Sequence, residues 1–394
     1  MRVLYVNHTS RVSGGELSLL GLLAAPPAGV EATVACPEGE LAERLRRAGV
    51  EVAPIQGTDG SLRLSPTATP RALAEMARAS LQVRRAAARH RADVVHANSI
   101  RAGLIATGPS GIGRPPTVVH VRDCLPPGRV SALTLRAIAR ADALIANSAH
   151  TRASLGSAAA SARVVHNAVD LARFERVELS PAAARARLGL APGGPVLGTI
   201  AQITPWKGQD DAIRIAAALR QRHPDLRLLL VGAVKFDSAS TRHDNAAYLD
   251  GLRGLVDELG LGDAVSFLGE RDDVPELLAA IDVLLAPSWE EPFGRSIIEA
   301  MAAGTAVAAT SVGGPPEIVD DGVSGLLLAP REPRLWAQAI ETLLDEPGRL
   351  EQIAARGRAE AFHRFGAERH ATAVGEVYRA VSGVPPSRPV AGRC

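Results

Sequence analysis

Two glutamates, Glu291 and Glu299, bracket the run Ser288-Trp-Glu-Glu-Pro-Phe-Gly-Arg-Ser-Ile-Ile-Glu-Ala-Met-Ala-Ala-Gly304. Pro292-Phe293-Gly294 reads as a tight turn that opens a short helix. Gly294 lets the backbone come close to a ligand. The helix start, at Arg295, Ser296 and Ile297, offers N–H groups without intrahelical partners at the positive end of the helix dipole. Such an end binds phosphate. One acceptor-only carboxylate before the turn and one inside the helix can each take hydrogen bonds from hydroxyls. A ligand with a phosphate in the middle and a sugar at each end, a nucleotide-sugar, fits that layout. The plainer alternative makes Glu299 an exposed helix residue and Glu291 a helix-start carboxylate. Against it, Glu299 sits among Ile297, Ile298, Ala300 and Met301, and a glutamate in so apolar a helix needs a reason.

Three other places carry residues suited to the same task. Asn7-His-Thr-Ser-Arg-Val-Ser-Gly14-Gly15-Glu16 follows the first apolar run and precedes a helical pattern. A strand, a glycine pair and a helix start make an anion cradle, although a plain glycine turn explains the same residues. The spacing is not G-x-G-x-x-G, which disfavours a dinucleotide. Ala201-Gln202-Ile-Thr-Pro-Trp-Lys207-Gly208 ends another strand, where a lysine can reach a diphosphate as a point charge; the alternative is a solvated lysine. Thr117-Val-Val-His120-Val-Arg122-Asp123 puts His120 and Arg122 on one face of a strand near its carboxyl end. His120 reads equally as a satisfied core histidine. Arg122 needs a partner if buried, and Asp123 is the expected one.

The elements that must hold these residues alternate. Strands are expected at Val3–Val6, Glu31–Ala35, Val50–Ala53, Asp93–His96, Thr117–Val121, Ala143–Ala146 and Arg163–His166. A second series is expected at Val196–Ile200, Leu226–Val231, Val265–Leu268, Val283–Leu285, Ala306–Ala309 and Gly325–Leu328. Helical patterns such as Pro70–His90 and Gln209–Arg222 separate them. Strand–helix alternation argues for parallel sheets covered by helices, and such sheets bind ligands at the carboxyl ends of their strands. The expected fold is therefore α/β, with two Rossmann-like doubly wound parallel-sheet domains facing across a cleft. The boundaries are 1–170, a linker at 171–192, and 193–364, with a last helix at about 365–382 returning to the first domain. The polar stretch Phe236–Asn245 is expected to be a mobile loop, and residues 385–394 a disordered tail.

Composition narrows the classes. Hydrophobic residues at 46% and charged residues at 22% fit an ordinary globular protein. A net charge of +2 is too mild for a nucleic-acid partner. Cys36, Cys124 and Cys394 show neither a disulfide framework nor zinc spacing and suggest a reducing, cytoplasmic setting. The start reads as a strand rather than a leader, and no apolar run has membrane-spanning length. Any membrane contact is expected to be peripheral, at the inner face. Arg71, Arg78, Arg85 and Arg89 share a helix face that is either solvated or turned to anionic lipid. No Asp-x-Asp triplet is present, so a metal-held diphosphate is not expected.

Glu291-Pro-Phe-Gly-x4-Glu299 followed by Ala-Met-Ala-Ala-Gly resembles the E-x7-E region of family-4 retaining glycosyltransferases, which have the GT-B fold. Gly14-Gly15, Asn147-Ser148, His166-Asn167, Lys207-Gly208, Leu230-Val-Gly232, Phe267-Leu-Gly269, Gly313-Gly314 and Asp321-Gly322 extend the resemblance over about residues 1–380. It implies that Glu291 holds the donor sugar, helped by the N–H groups of Phe293 and Gly294. The amides of Arg295, Ser296 and Ile297 would bind phosphate, and Glu299 the ribose. Lys207 and Gly15, with Gly14 beside it, would contact the diphosphate from opposite domains, and the loop Gly269–Arg271 would lie against the base. Two departures stand out. The family has an arginine where this chain has Gln202, and Arg271 or Arg11 would have to replace its charge. The family also places a histidine directly before the aspartate where Arg122 stands, which leaves open whether His120 or Arg122 faces the sugar.

The resemblance implies a retaining, metal-independent transferase that moves a sugar from a nucleoside diphosphate, UDP or GDP, to an acceptor hydroxyl without a resident cofactor. The departing phosphate would itself help to deprotonate the acceptor. A saccharide, a lipid-linked saccharide and a small natural product all remain open as acceptors. Two alternatives stay in view: a nucleotide-sugar epimerase on the same fold, and a binding protein that never turns the donor over. Acceptor recognition is expected from the loops at His8–Ser13, Gly57–Ser65 and Leu125–Val130.

Overall fold

The computed structural model describes residues 1–58, 68–108, 114–177, 179–235, 243–346 and 348–383. It divides into two compact units. Unit 1 holds Met1–Asn147, Thr151–His166 and the chain from Ala367 onward; unit 2 holds Ser148–His150 and Asn167–Gly366.

Unit 1 is built on seven parallel strands: β1 (Arg2–Val6), β2 (Glu31–Cys36), β3 (Glu51–Pro54), β4 (Val94–Ala97), β5 (Thr117–Val121), β6 (Ala143–Ala146) and β7 (Ala162–Val164). Their order is β3-β2-β1-β4-β5-β6-β7. The central strands are buried on both faces and mostly apolar, with His96 in β4 and His120 in β5 as buried exceptions. In β1, Leu4 and Val6 enter the core on one face, and Val3 and Tyr5 that on the other. The last helix, Ala367–Ser382, belongs to this unit and buries Val374, Val377 and Tyr378 in the second of these cores.

Unit 2 has six parallel strands: β8 (Val196–Ile200), β9 (Arg227–Val231), β10 (Val265–Gly269), β11 (Val283–Ala286), β12 (Ala306–Thr310) and β13 (Leu326–Leu328). They are ordered β10-β9-β8-β11-β12-β13. Leu228 and Leu230 pack on one face of β9, and Leu229 and Val231 on the other. In both sheets the strand order reverses at one place, between β1 and β4 and between β8 and β11. A doubly wound sheet opens its ligand crevice at the carboxyl ends of such a pair.

Two expectations need correction. The stretch 171–192 is no free linker. It contains the helices Ala172–Glu175 and Pro181–Arg187. Phe174 is buried in unit 2's core, and Arg185 donates to Asp282 Oδ1 at 2.6 Å and to the Ala280 carbonyl at 3.0 Å. The polar stretch 236–245 also ends earlier than expected. Asp244 accepts the Ala247 N–H at 2.9 Å and caps the helix Asn245–Glu258, because a short acidic side chain satisfies the first free amides of a helix. Residues 236–242, together with most of Gly57–Ser65 and the tail at 385–394, lie outside the described residues.

Candidate active site

In unit 2 the two loops at the strand-order reversal carry the two groups of opposite charge. Lys207 follows β8 in the short turn Pro205–Lys207, and Glu291 follows β11. The Lys207 Nζ donates to Glu291 Oε2 at 2.6 Å, and the Ser288 hydroxyl donates to the same oxygen at 3.1 Å. Glu291 is 8% exposed, so its charge is matched where water is scarce. Lys207 also lies 4.2 Å from the Trp206 ring centre, a favourable place for a cation. The Glu291 backbone is fixed as well. Its carbonyl accepts the Gly314 N–H at 2.8 Å. A Cβ on Gly313, whose φ is +87°, would stand 2.1 Å from that carbonyl oxygen, so only glycine fits beneath it.

Gly294, at φ +112°, is the N-cap of the helix Arg295–Ala303. Phe293 is buried against Phe365, with ring centres 6.1 Å apart. Its side chain is core, and only its backbone can meet a ligand. The first-turn amides of Arg295 and Ser296 have no acceptor earlier in the helix, whereas the Ile297 N–H, offered by the sequence as a third phosphate donor, donates to the Gly294 carbonyl at 3.1 Å. Glu299, 9% exposed, is paired within its own helix: Arg295 Nε and Nη2 both reach Glu299 Oε1, at 2.8 and 2.6 Å. Both donations fall on one oxygen, so the carboxylate keeps lone pairs for further donors.

Gln202 and Arg271 make other contacts. The Gln202 carbonyl accepts Gln209 Nε2 at 2.9 Å. Arg271 follows β10, the edge strand two places from β8. It is held in a fork by Asp273, with Nε–Oδ1 at 2.8 Å and Nη2–Oδ2 at 2.6 Å. The sequence offers it as a substitute for the family arginine, but here it is committed to Asp273.

In unit 1, Gly14 and Gly15 open the helix Gly14–Ala24. Glu16 closes the turn before it, taking the Ser13 hydroxyl at 2.6 Å and the Ser13 N–H at 3.1 Å. Arg122, 6% exposed, lies under this turn, and a Cβ on Gly15 would sit 3.5 Å from Arg122 Cδ. Asn98 organises the group. Its Oδ1 accepts Arg122 Nη2 at 2.9 Å and Nε at 3.2 Å. Its Nδ2 donates to Asn7 Oδ1 at 3.0 Å and to the Gly15 carbonyl at 3.2 Å. Asn98 went unnoticed in the sequence; the available signal was a polar residue directly after a buried strand at the order reversal.

His120 is fully buried. Its Nδ1 faces Arg122 Nη2 at 3.2 Å. Its ring lies 5.5 Å from that of His96 and 6.0 Å from that of His370. Burial, then the Arg122 charge, holds His120 well below the usual histidine range. That favours the uncharged ring, whose Nδ1 can accept from Arg122. Of the two residues left open by the sequence, Arg122 is the one directly under the glycine turn.

Two Rossmann-like units, with an acid–lysine pair and a glycine-started helix at the reversal of the second sheet, define a GT-B glycosyltransferase architecture. The comparisons agree. A model described as Glycosyltransferase Family 4 matches residues 18–173, and one described as Glycosyl transferases group 1 matches residues 182–360. The chain belongs to this glycosyltransferase family. It is 36% identical over 251 residues to D-inositol 3-phosphate glycosyltransferase of Salinispora arenicola, covering 61% of this chain and 55% of that protein. It is 37% identical over 232 residues to the Nocardia farcinica protein of the same name, covering 57% of this chain and 49% of that protein. The chain thus spans about half the length of the curated relatives it matches. The crystal structure of Anabaena HepE in complex with UDP-glucose superposes with a TM-score of 0.82 at 28% identity, covering 96% of this chain and all of that one.

Proposed function

We propose that this chain transfers a hexose from a nucleoside diphosphate, UDP first, to an acceptor hydroxyl, with retention and without a metal. The observation that carries the reading is the Lys207–Glu291 pair at the β8/β11 reversal, which precedes the first-turn amides of Arg295 and Ser296 in the helix Arg295–Ala303. In this reading Lys207 and those amides meet the charge that develops on the departing diphosphate. Glu291 takes the sugar hydroxyls and Glu299 the ribose hydroxyls, each through oxygens with spare lone pairs. HepE, crystallised with UDP-glucose, supports the donor class. The acceptor is a saccharide, a lipid-linked saccharide or a small natural product; a phosphorylated cyclitol enters the list through the names of the curated relatives.

The experiment is a panel of UDP-, GDP- and ADP-sugars, with and without acceptors and with and without chelator, read by release of free nucleoside diphosphate. The expected result is release from a UDP-hexose that requires an acceptor and ignores chelator. Conversion of the sugar without an acceptor would indicate an epimerase, donor binding without any product a non-catalytic protein, and strong chelator inhibition a metal-dependent reaction.

We also propose a cytoplasmic location with peripheral contact to anionic lipid. Among the described residues no helix is long and apolar enough to cross a membrane. The helix Ala68–Arg89 leaves Leu73 61% and Leu81 48% exposed, beside exposed Arg78, Arg84, Arg85 and Arg89; the side chain of Arg71 lies outside the described residues. Basic and apolar groups on one helix face suit an anionic bilayer surface. Sedimentation with vesicles containing an anionic phospholipid is expected to carry the protein down, and Leu81→Asp with Arg85→Glu to release it. Equal sedimentation with neutral vesicles would contradict the contact.

A further inference from the structure

Arg331 holds a backbone conformation that its side chain disfavours. Its φ is +63°, and among the described residues only one other non-glycine, Arg91, has a positive φ. A side chain in the left-handed region costs on the order of 1 kcal/mol. The surroundings of Arg331 show what that side chain does. Its Nη1 donates to Asp210 Oδ2 at 2.9 Å and to Asp211 Oδ2 at 3.3 Å. Its guanidinium carbon lies 4.2 Å from the Trp289 ring centre. The two aspartates sit in the first turn of the helix Gln209–Leu219, directly after Lys207 and Gly208. Trp289 stands two residues before Glu291. One guanidinium therefore grips both of the loops that present the charged pair.

The same loops are joined underneath. The Trp289 N–H donates to the Trp206 carbonyl at 2.8 Å. Gly208, at φ +70°, lies so close to the Pro287 carbonyl that a Cβ would stand 2.3 Å from its oxygen. The far side of Asp210 is held by Tyr248, whose hydroxyl donates to Oδ1 at 2.8 Å and accepts the Asp210 N–H at 3.2 Å. Asp211 is 4% exposed. Without the arginine, two adjacent carboxylates would face each other in a nearly dry place.

We propose that Arg331 is a positioning residue that fixes the separation of Lys207 and Glu291, so that nucleoside-diphosphate binding depends on a guanidinium clamped to Asp210, Asp211 and Trp289. This rests on the nucleotide-sugar reading of the Lys207–Glu291 site. The left-handed backbone supplies the test, because glycine at 331 removes the clamp while relieving the backbone.

Arg331→Gly and Arg331→Lys would be compared with the wild-type chain by titration with UDP, by donor kinetics and by thermal unfolding. The expected result for Arg331→Gly is a single cooperative transition at a midpoint only modestly below wild type, the relieved backbone offsetting part of the lost ion pairs, with UDP affinity about tenfold weaker and a lower kcat; tenfold corresponds to about 1.4 kcal/mol. Arg331→Lys, which keeps the charge but loses the planar fork, is expected to recover only part of the affinity. UDP affinity and kcat at wild-type values in both variants would overturn the inference. A wild-type protein that binds none of UDP, GDP and ADP would instead overturn the nucleotide reading, and the inference with it.

Discussion

Replacing Lys207 by alanine is expected to lower nucleotide-sugar turnover by roughly 10²–10³-fold, the range found when one preorganised charge-stabilising group is removed from an active site. Two effects act together. The cation that would meet the leaving diphosphate is lost. The Glu291 carboxylate, 8% exposed and bonded to Lys207 at 2.6 Å, is left with only the Ser288 hydroxyl and stands as an uncompensated negative charge beside the phosphate site. Truncating one member of a buried pair costs more than the pair contributes, for that reason. The double variant Lys207→Ala with Glu291→Gln therefore separates the two effects. It is expected to bind UDP more tightly than Lys207→Ala alone, a non-additivity that marks direct coupling, while turnover stays low because Glu291 no longer holds the sugar. The check is kcat/KM and UDP titration for the three variants. Turnover of Lys207→Ala within a few fold of wild type would remove the lysine from the mechanism.

Acidification is expected to unfold unit 1 before unit 2. His96, His120 and His370 are buried together. His96 Nδ1 lies 2.8 Å from the Tyr378 hydroxyl, which donates to the Tyr5 hydroxyl at 3.2 Å. His370 Nδ1 meets the His166 carbonyl at 2.7 Å. Burial, with the Arg122 charge, holds His96 and His120 well below the usual range and brings His370 down to about 4. A histidine in the unfolded chain takes up its proton near pH 6.5. As pH falls below that value the unfolded state binds protons that the folded core refuses, so stability declines. Each such histidine removes about 1.4 kcal/mol per pH unit, and the loss for His370 continues until about pH 4.

The experiment can watch the units separately. All three tryptophans, Trp206, Trp289 and Trp336, are in unit 2, so their emission reports that unit. Hydrogen-exchange free energies for the β1 and β4 amides report unit 1. Between pH 7 and pH 5 the exchange free energies are expected to drop while tryptophan emission holds. His370→Gln should flatten the slope by one histidine's share. Unchanged free energies in β1 and β4 over that interval would contradict the assignment of neutral histidines.

The sheets were legible because buried parallel strands are short, nearly continuous apolar runs bounded by polar turns. All six strands of unit 2 lie within a residue or two of their expected places. The helices Ala172–Glu175 and Pro181–Arg187 were not, since 171–192 reads as a linker between two strand–helix series and its docking depends on tertiary partners such as Asp282. Lys207, Glu291 and Glu299 were each visible as chemistry out of place in its setting. Their pairings were not: a lysine and a glutamate 84 positions apart meet only because β8 and β11 are neighbours. Strand position alone left open whether His120 was a core or a cleft residue; the structure buries it fully. Arg331 carried no sequence signal, because a positive φ at a non-glycine is a property of the fold around it.

The most direct test is a crystal structure of the protein with UDP. The diphosphate is expected on the amides of Arg295 and Ser296 with Lys207 turned toward it, and the ribose hydroxyls on Glu299. A bound UDP that leaves Lys207 on Glu291 and puts its ribose away from Glu299 would contradict that placement.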